Sequence, residues 1–201
     1  IYEQPQAILN TLDGRVGGDD VRDDIFGIGS SKLFRKVKRI QIVACGTSLH
    51  AGRVAANWLS AIAGIPTQVD YASEYRYRNP HVDEDSLLVT ISQSGETADT
   101  IAALRYAKEK DYLSTITICN VPTSSLARES DFFLYTNAGP EVGVASTKAF
   151  STQLTGLMLL VLSLAKSRKM NPKLRGRVIT ALRKLPEKIE EALELKEEII
   201  K

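Results

Sequence analysis

Cysteine, histidine and tryptophan are scarce in this chain of 201 residues: two, two and one. Two cysteines are too few for a disulfide-stapled scaffold. Cys45 and Cys119 each close an apolar run, so they read as small buried side chains. His50 and His81 stand at no spacing from a cysteine or carboxylate that would build a metal site, and no metal is expected. A one-signed charge block is also missing. The 26 basic and 24 acidic residues are spread along the chain and leave a net charge of +2, so no nucleic-acid partner is expected. The longest apolar run, residues 154–165, is interrupted by Thr155, Gly156 and Ser163 and is too short for a membrane span. The opening Ile1-Tyr-Glu-Gln-Pro5 is polar and lacks the basic start of a signal peptide. These absences together give the expectation of a cytoplasmic protein, and a start at Ile1 gives the expectation of a fragment. Nucleotide fingerprints are absent too. There is no G-x-x-x-x-G-K-[ST], and no G-x-G-x-x-G follows a strand.

What is present is enough apolar material, 43% of residues, to fill a core. Strand-like runs cover residues 39–45, 67–71, 86–91, 114–119 and 131–136. Helical patterns cover 4–12, 30–37, 49–63, 98–110, 124–129 and 147–169, and Gly64 with Pro66 ends the third of these. Residues 14–29, rich in Gly and Asp, read as loop. Strands that alternate with helices imply crossover connections and a parallel sheet covered on both faces. The near-continuous apolar character of the strands agrees. The expected fold is α/β, a flavodoxin-like three-layer α-β-α sandwich around a five-stranded parallel sheet. After Pro172 the chain becomes charged and helical, with Val178, Leu182, Leu185, Ile189, Leu193 and Ile199 at near-helical spacing. Pro186 should start a new helix or bend the old one. This tail reads as a linker or arm that docks elsewhere, outside the core.

Three junctions that lead into helices are crowded with small polar groups: Cys45-Gly-Thr-Ser48, Ser92-Gln-Ser-Gly-Glu-Thr97 and Gly143-Val-Ala-Ser-Thr-Lys148. The carboxyl ends of parallel strands share one edge, where ligands bind. A helix start leaves backbone N–H groups unpaired and favours an anion. Gly46 and Gly95 let backbone approach a ligand, and Ser and Thr hydroxyls add neutral donors. The set suits a phosphorylated, hydroxyl-rich small molecule. Any one junction is equally explained as a helix cap, since Ser and Thr are favoured there on structural grounds alone. A cap needs one hydroxyl, however, and the second junction supplies Ser92, Ser94 and Thr97 as well as the Gln93 amide. Glu74, Glu96 and Glu141 lie near these junctions. Glu96 favours a helix N-terminus by charge alone, and none of the three is marked as an acid–base group.

Six stretches then carry a resemblance: Ile1-Tyr-Glu-Gln-Pro5, Ala44-Cys-Gly-Thr-Ser48, Ala72-Ser-Glu-Tyr-Arg-Tyr-Arg78, Ser92 to Thr100, Ile118-Cys-Asn-Val-Pro122 and Val142-Gly-Val-Ala-Ser-Thr-Lys-Ala-Phe150. Together they resemble the isomerase domain of the glutamine–fructose-6-phosphate aminotransferases, within the wider sugar-isomerase (SIS) fold. The resemblance covers nearly the whole chain. It implies a lead-in segment at residues 1–38, an SIS domain at 39–170 and a helical linker at 171–201 toward a second SIS subdomain. It implies phosphate binding by Ser92, Gln93, Ser94 and Thr97, and sugar binding by Cys45, Gly46, Thr47, Ser48, Val144 and Ser146. The implied ligand is fructose 6-phosphate or glucosamine 6-phosphate, with no metal or redox cofactor. Implied partners are the second SIS subdomain, a glutaminase domain and a second copy in a homodimer. The family's isomerase base, ring-opening histidine and Schiff-base lysine belong to segments beyond this chain, so no catalytic residue is expected here. The isolated chain should bind without turnover. Two other readings stay open: a stand-alone SIS-type sugar-phosphate sensor, and an interaction domain whose polar junctions are only caps.

Overall fold

The computed structural model describes residues 1–143 and 145–199. Helix α1 (Gln4–Leu12) begins with Pro5 in its first turn, where a missing N–H costs nothing. A two-residue hairpin follows, β1 (Val16–Gly17) against β2 (Asp20–Val21), in a stretch expected to be loop throughout. After α2 (Ser30–Phe34) come β3 (Arg39–Ala44), α3 (Gly46–Trp58), a π-helical turn at Leu59–Ala63, and β4 (Thr67–Tyr71). Next are the short α4 (Ala72–Tyr75), β5 (Ser86–Ser92), α5 (Ala98–Lys108) and β6 (Ser114–Cys119). The chain finishes with α6 (Ser125–Glu129), β7 (Phe132–Tyr135), α7 (Lys148–Ser167), α8 (Pro172–Glu194) and α9 (Lys196–Ile199).

The five main strands form one parallel sheet, as expected, and their order is β4-β3-β5-β6-β7. Alternation along each strand divides the core in two. Ile40, Ile42 and Ala44 of β3, with Leu87, Val89 and Ile91 of β5, face a large cluster that includes Ile8 of α1, Leu49 of α3 and Leu160 of α7. Val43 and Leu88 point the other way, onto Ala72 and Tyr75 of α4, Leu104 of α5 and Leu126 of α6. The second face also carries polar strand residues, and these are paired: Thr90 Oγ1 and Thr117 Oγ1 share a hydrogen bond of 2.6 Å.

Three expectations change. Helix α3 begins at Gly46 rather than residue 49, so Gly46, Thr47 and Ser48 form a first helical turn instead of a loop. Pro186 neither ends nor restarts α8, which runs unbroken past it. Nor does α8 stand outside the core as far as Pro186. Arg175, Ile179, Leu182 and Pro186 are buried, the helix packs on α1 and α7, and Arg175 forms a forked ion pair with Asp20. Beyond Pro186 every residue of the helix is exposed or half-buried. Helix α7, at 20 residues, is long and apolar enough to cross a bilayer by length and composition, but most of that apolar surface is buried inside the fold.

Candidate functional site

The strand order locates the site. The chain leaves β3 toward β4 on one side and returns to β5 on the other, so the direction of winding reverses between β3 and β5. At such a reversal the two following connections diverge and leave a crevice at the carboxyl edge. Ala44 pairs with Ile91 at the end of the β3–β5 ladder, so Cys45 and Ser92 emerge side by side. The first two polar junctions therefore flank the switch point, and Thr100 of α5 reaches across it to the Cys45 sulfur at 3.9 Å.

The hydroxyls there do not cap their helices. Neither Cys45 before α3 nor Thr97 before α5 makes a side-chain cap bond. Instead the amide of Gly95 donates to Ser92 Oγ at 3.0 Å, and the amide of Glu96 donates to Ser94 Oγ at 3.1 Å. Ser92 Oγ and Thr97 Oγ1 lie 3.1 Å apart. On α3, Ser48 Oγ accepts from Gln153 Nε2 of α7 at 3.0 Å. A hydroxyl has one proton and two lone pairs. Where a protein N–H occupies a lone pair, as at Ser48 and Ser94, the O–H proton is left to donate. Two uncapped helix starts add oriented N–H groups on the same edge. The arrangement is rich in donors, and its natural guest is a group made only of acceptors, such as a phosphate.

The loop 92–97 is held by packing and by hydrogen bonds from both sides. Gly95 has φ +68°, in the left-handed region, and a Cβ there would fall 2.5 Å from Ser124 Cβ. Packing against Ser124 is by itself a sufficient reason for glycine at this position. Gly46 has φ +56° and no atom within 4 Å of where a Cβ would stand, so it keeps an exposed first turn open beside the crevice. From below, the amide of Asn120 donates to Gln93 O and that of Leu126 to Gly95 O, both at 3.1 Å. The Glu96 carboxylate accepts from the Ser125 amide at 2.7 Å, so Glu96 braces α6, and hydrogen bonds from Ser125 hold its pKa below the usual glutamate value. Burial raises the Cys119 thiol, which lies beneath the same loop.

The third junction is different. Its helix start is met in part from within the chain: Glu141 accepts from the amides of the N-cap Thr147 at 3.2 Å and of Ala149 in the first turn at 2.8 Å. That carboxylate supplies negative charge at a helix start where an external anion was expected, so α7 offers an anion less than the other two helix starts do. Lys148 is buried and pairs with Glu3, which ties α7 to the opening segment. Ser146 lies half-buried on the approach to α7, and Val144 falls outside the described residues. Four residues that organise the site carry no local sequence mark of that role: Asn120, Ser124, Glu141 and Gln153. Asn120 also donates to Gly139 O and accepts from the Ala138 amide, both at 2.7 Å, and so joins the second junction to the segment that follows β7. Its position directly after β6, on the same edge, is the one signal that could have found it. Among the described residues no cluster of three or more His, Cys, Asp or Glu has the arrangement of a metal site.

Comparison with known proteins agrees with this geometry. The SIS domain family model matches residues 33–163. The chain is 53% identical over 199 residues to the glutamine–fructose-6-phosphate aminotransferase of Idiomarina loihiensis, covering 99% of this chain and 33% of that protein. It is 55% identical over 194 residues to the enzyme of the same name from Pseudomonas aeruginosa, covering 96% of this chain and 32% of that one. The chain thus spans about a third of the length of these curated relatives. Among solved structures, the C-terminal domain of glucosamine-fructose-6-phosphate aminotransferase from Francisella tularensis superposes with a TM-score of 0.95 at 45% identity, over 98% of this chain and 56% of that one. A phosphosugar isomerase fold from Clostridium difficile superposes at 0.84 with 22% identity, which speaks for the fold alone. The sheet order, the polar edge at the switch point and the match over residues 33–163 lead to one assignment: the chain belongs to the SIS domain family.

Proposed function

We propose that this chain is the phosphosugar-holding part of an isomerizing glutamine–fructose-6-phosphate aminotransferase, which makes glucosamine 6-phosphate from fructose 6-phosphate and glutamine. Ser92, Gln93, Ser94 and Thr97 hold the phosphate. Cys45, Gly46, Thr47, Ser48, Val144 and Ser146 line the sugar. The observation that carries this reading is the surplus of donors at the β3–β5 switch point, where Ser48 and Ser94 have a lone pair occupied by protein N–H groups. Identity above 50% to aminotransferases three times as long supports the choice of ligand. Phosphate anchoring uses binding energy far from the reacting carbons to fix their position. The proton transfer and amination belong to segments beyond this chain: a second SIS subdomain and a glutaminase domain, in a cytoplasmic homodimer. The chain alone therefore binds phosphosugar without converting it.

Calorimetric titration of the 201-residue chain tests this. Fructose 6-phosphate and glucosamine 6-phosphate should bind, and fructose and glucosamine should not. Absence of binding at millimolar phosphosugar would return the junctions to a purely structural role. Ketose–aldose conversion by the isolated chain would refute its inactivity.

A further inference from the structure

Gln153 is an anomaly in its surroundings. It is 2% exposed, one turn into α7, among the buried residues Ala149, Thr152, Gly156 and Leu157. Its Nε2 donates to Ser48 Oγ, while its Oε1 is buried without any hydrogen-bond partner. An unpaired buried carbonyl oxygen costs desolvation that an aliphatic side chain of the same length would avoid. The amide needs a compensating role, and the one bond it makes indicates which.

Ser48 sits in the first turn of α3, where a serine has competing local choices. Its oxygen can accept from a first-turn amide, or its proton can turn back to a nearby carbonyl. The amide of Gln153 occupies an acceptor position from within the core and biases the remaining proton away from it. Among the described residues Ser48 Oγ makes no hydrogen bond to a carbonyl of its own helix, and Gln153 is the partner it has, so the proton is not already committed to the first turn.

We infer that Gln153 is a positioning residue for the phosphosugar site: by donating to Ser48 Oγ from the α3–α7 interface, it aims the Ser48 hydroxyl proton at an oxygen of the bound phosphosugar. This rests on the proposed function above. Gln153 does not touch the ligand and acts only through Ser48.

A double-mutant cycle read by fructose 6-phosphate affinity tests the inference, with thermal midpoints as the control for folding. Ser48→Ala should weaken binding about tenfold, and Gln153→Met by a similar or slightly smaller factor, about the worth of one hydrogen bond. The double variant should bind no more weakly than Ser48→Ala alone. It should also melt higher than Ser48→Ala, because methionine removes the amide that alanine leaves unpaired. Losses that add in the double variant would overturn the inference, since a merely structural glutamine harms the site whether or not Ser48 is present. So would unchanged affinity in Gln153→Met, or unchanged affinity in Ser48→Ala. If the unsubstituted chain binds no phosphosugar, the functional reading fails first and this inference with it.

Discussion

Ser124 stands directly against the backbone of Gly95, so that a Cβ on Gly95 would lie 2.5 Å from the Ser124 Cβ. Gly95 also has φ +68°. Gly95→Ala therefore meets two obstacles, a backbone conformation alanine disfavours and an occupied space. A loss of about 2–3 kcal/mol is expected in denaturant unfolding. Adding Ser124→Gly should restore the steric share and leave the conformational share in place. Full recovery in the double variant would show that the left-handed backbone costs nothing here.

Ser94 and Thr97 should separate from Ser92. Ser94→Ala and Thr97→Ala should each weaken phosphosugar binding by about tenfold, near 1.4 kcal/mol, with little change in stability. Both Ser92 and Ser94 accept from a loop amide, but the bond to Ser92 is buried and the one to Ser94 is exposed, so only Ser92→Ala should lower the unfolding midpoint as well as affinity. Unchanged affinity in the first two variants would make them ordinary turn residues.

Glu141 stabilises the start of α7 by accepting from the N-cap amide of Thr147 and the first-turn amide of Ala149. Glu141→Ala should cost about 1 kcal/mol. Should the vacated amides instead recruit ligand phosphate, affinity would rise as stability fell, and calorimetry would report both signs.

The carboxylate of Glu96 gives a pH signature. Hydrogen bonds from Ser125 depress its pKa in the folded state, so its contribution is present above the unfolded pKa of about 4.3 and is lost as pH falls through the lower folded value. Glu96→Gln should therefore show a shallower loss of thermal midpoint on acidification below about pH 4.3 than the parent chain. Parallel curves would mean that the Ser125 contact is not made in solution.

Helix α8 offers a test of docking, because Ile179 is wholly buried against the core. Ile179→Ala should cost about 2–4 kcal/mol. A freely projecting arm would tolerate the change.

Sequence periodicity is enough for the five main strands, their parallel pairing and the edge on which the polar junctions gather. Apolar runs such as Leu87 to Ile91 commit to a doubly covered strand by composition alone. The errors have local causes. Gly46, Thr47 and Ser48 look like loop because Gly and Ser are poor helix interiors, yet a first turn has no preceding turn to clash with and tolerates them. Pro186 looks like a break, but tertiary burial of α8 outweighs the lost bond. The tail looks detached because its charged residues dominate the composition, whereas docking depends on the few that face α1. Residues such as Gln153 and Asn120 are hidden in sequence because their role is defined by partners 105 and 18–19 positions away. No local spacing encodes that. The acidic cap at Glu141 shows the converse: a helix start that reads as vacant in sequence is occupied from six and eight residues upstream.

Asn120 fastens two neighbouring loops at once, by its main chain to Gln93 and by its side chain to Ala138 and Gly139. Its consequence is entropic. A guest arriving at the switch point finds backbone that folding has already immobilised, so little conformational freedom remains to be surrendered on association. On the proposed function, the loops that Asn120 ties add little ordering cost to binding, and affinity there follows how well the donors match the phosphosugar.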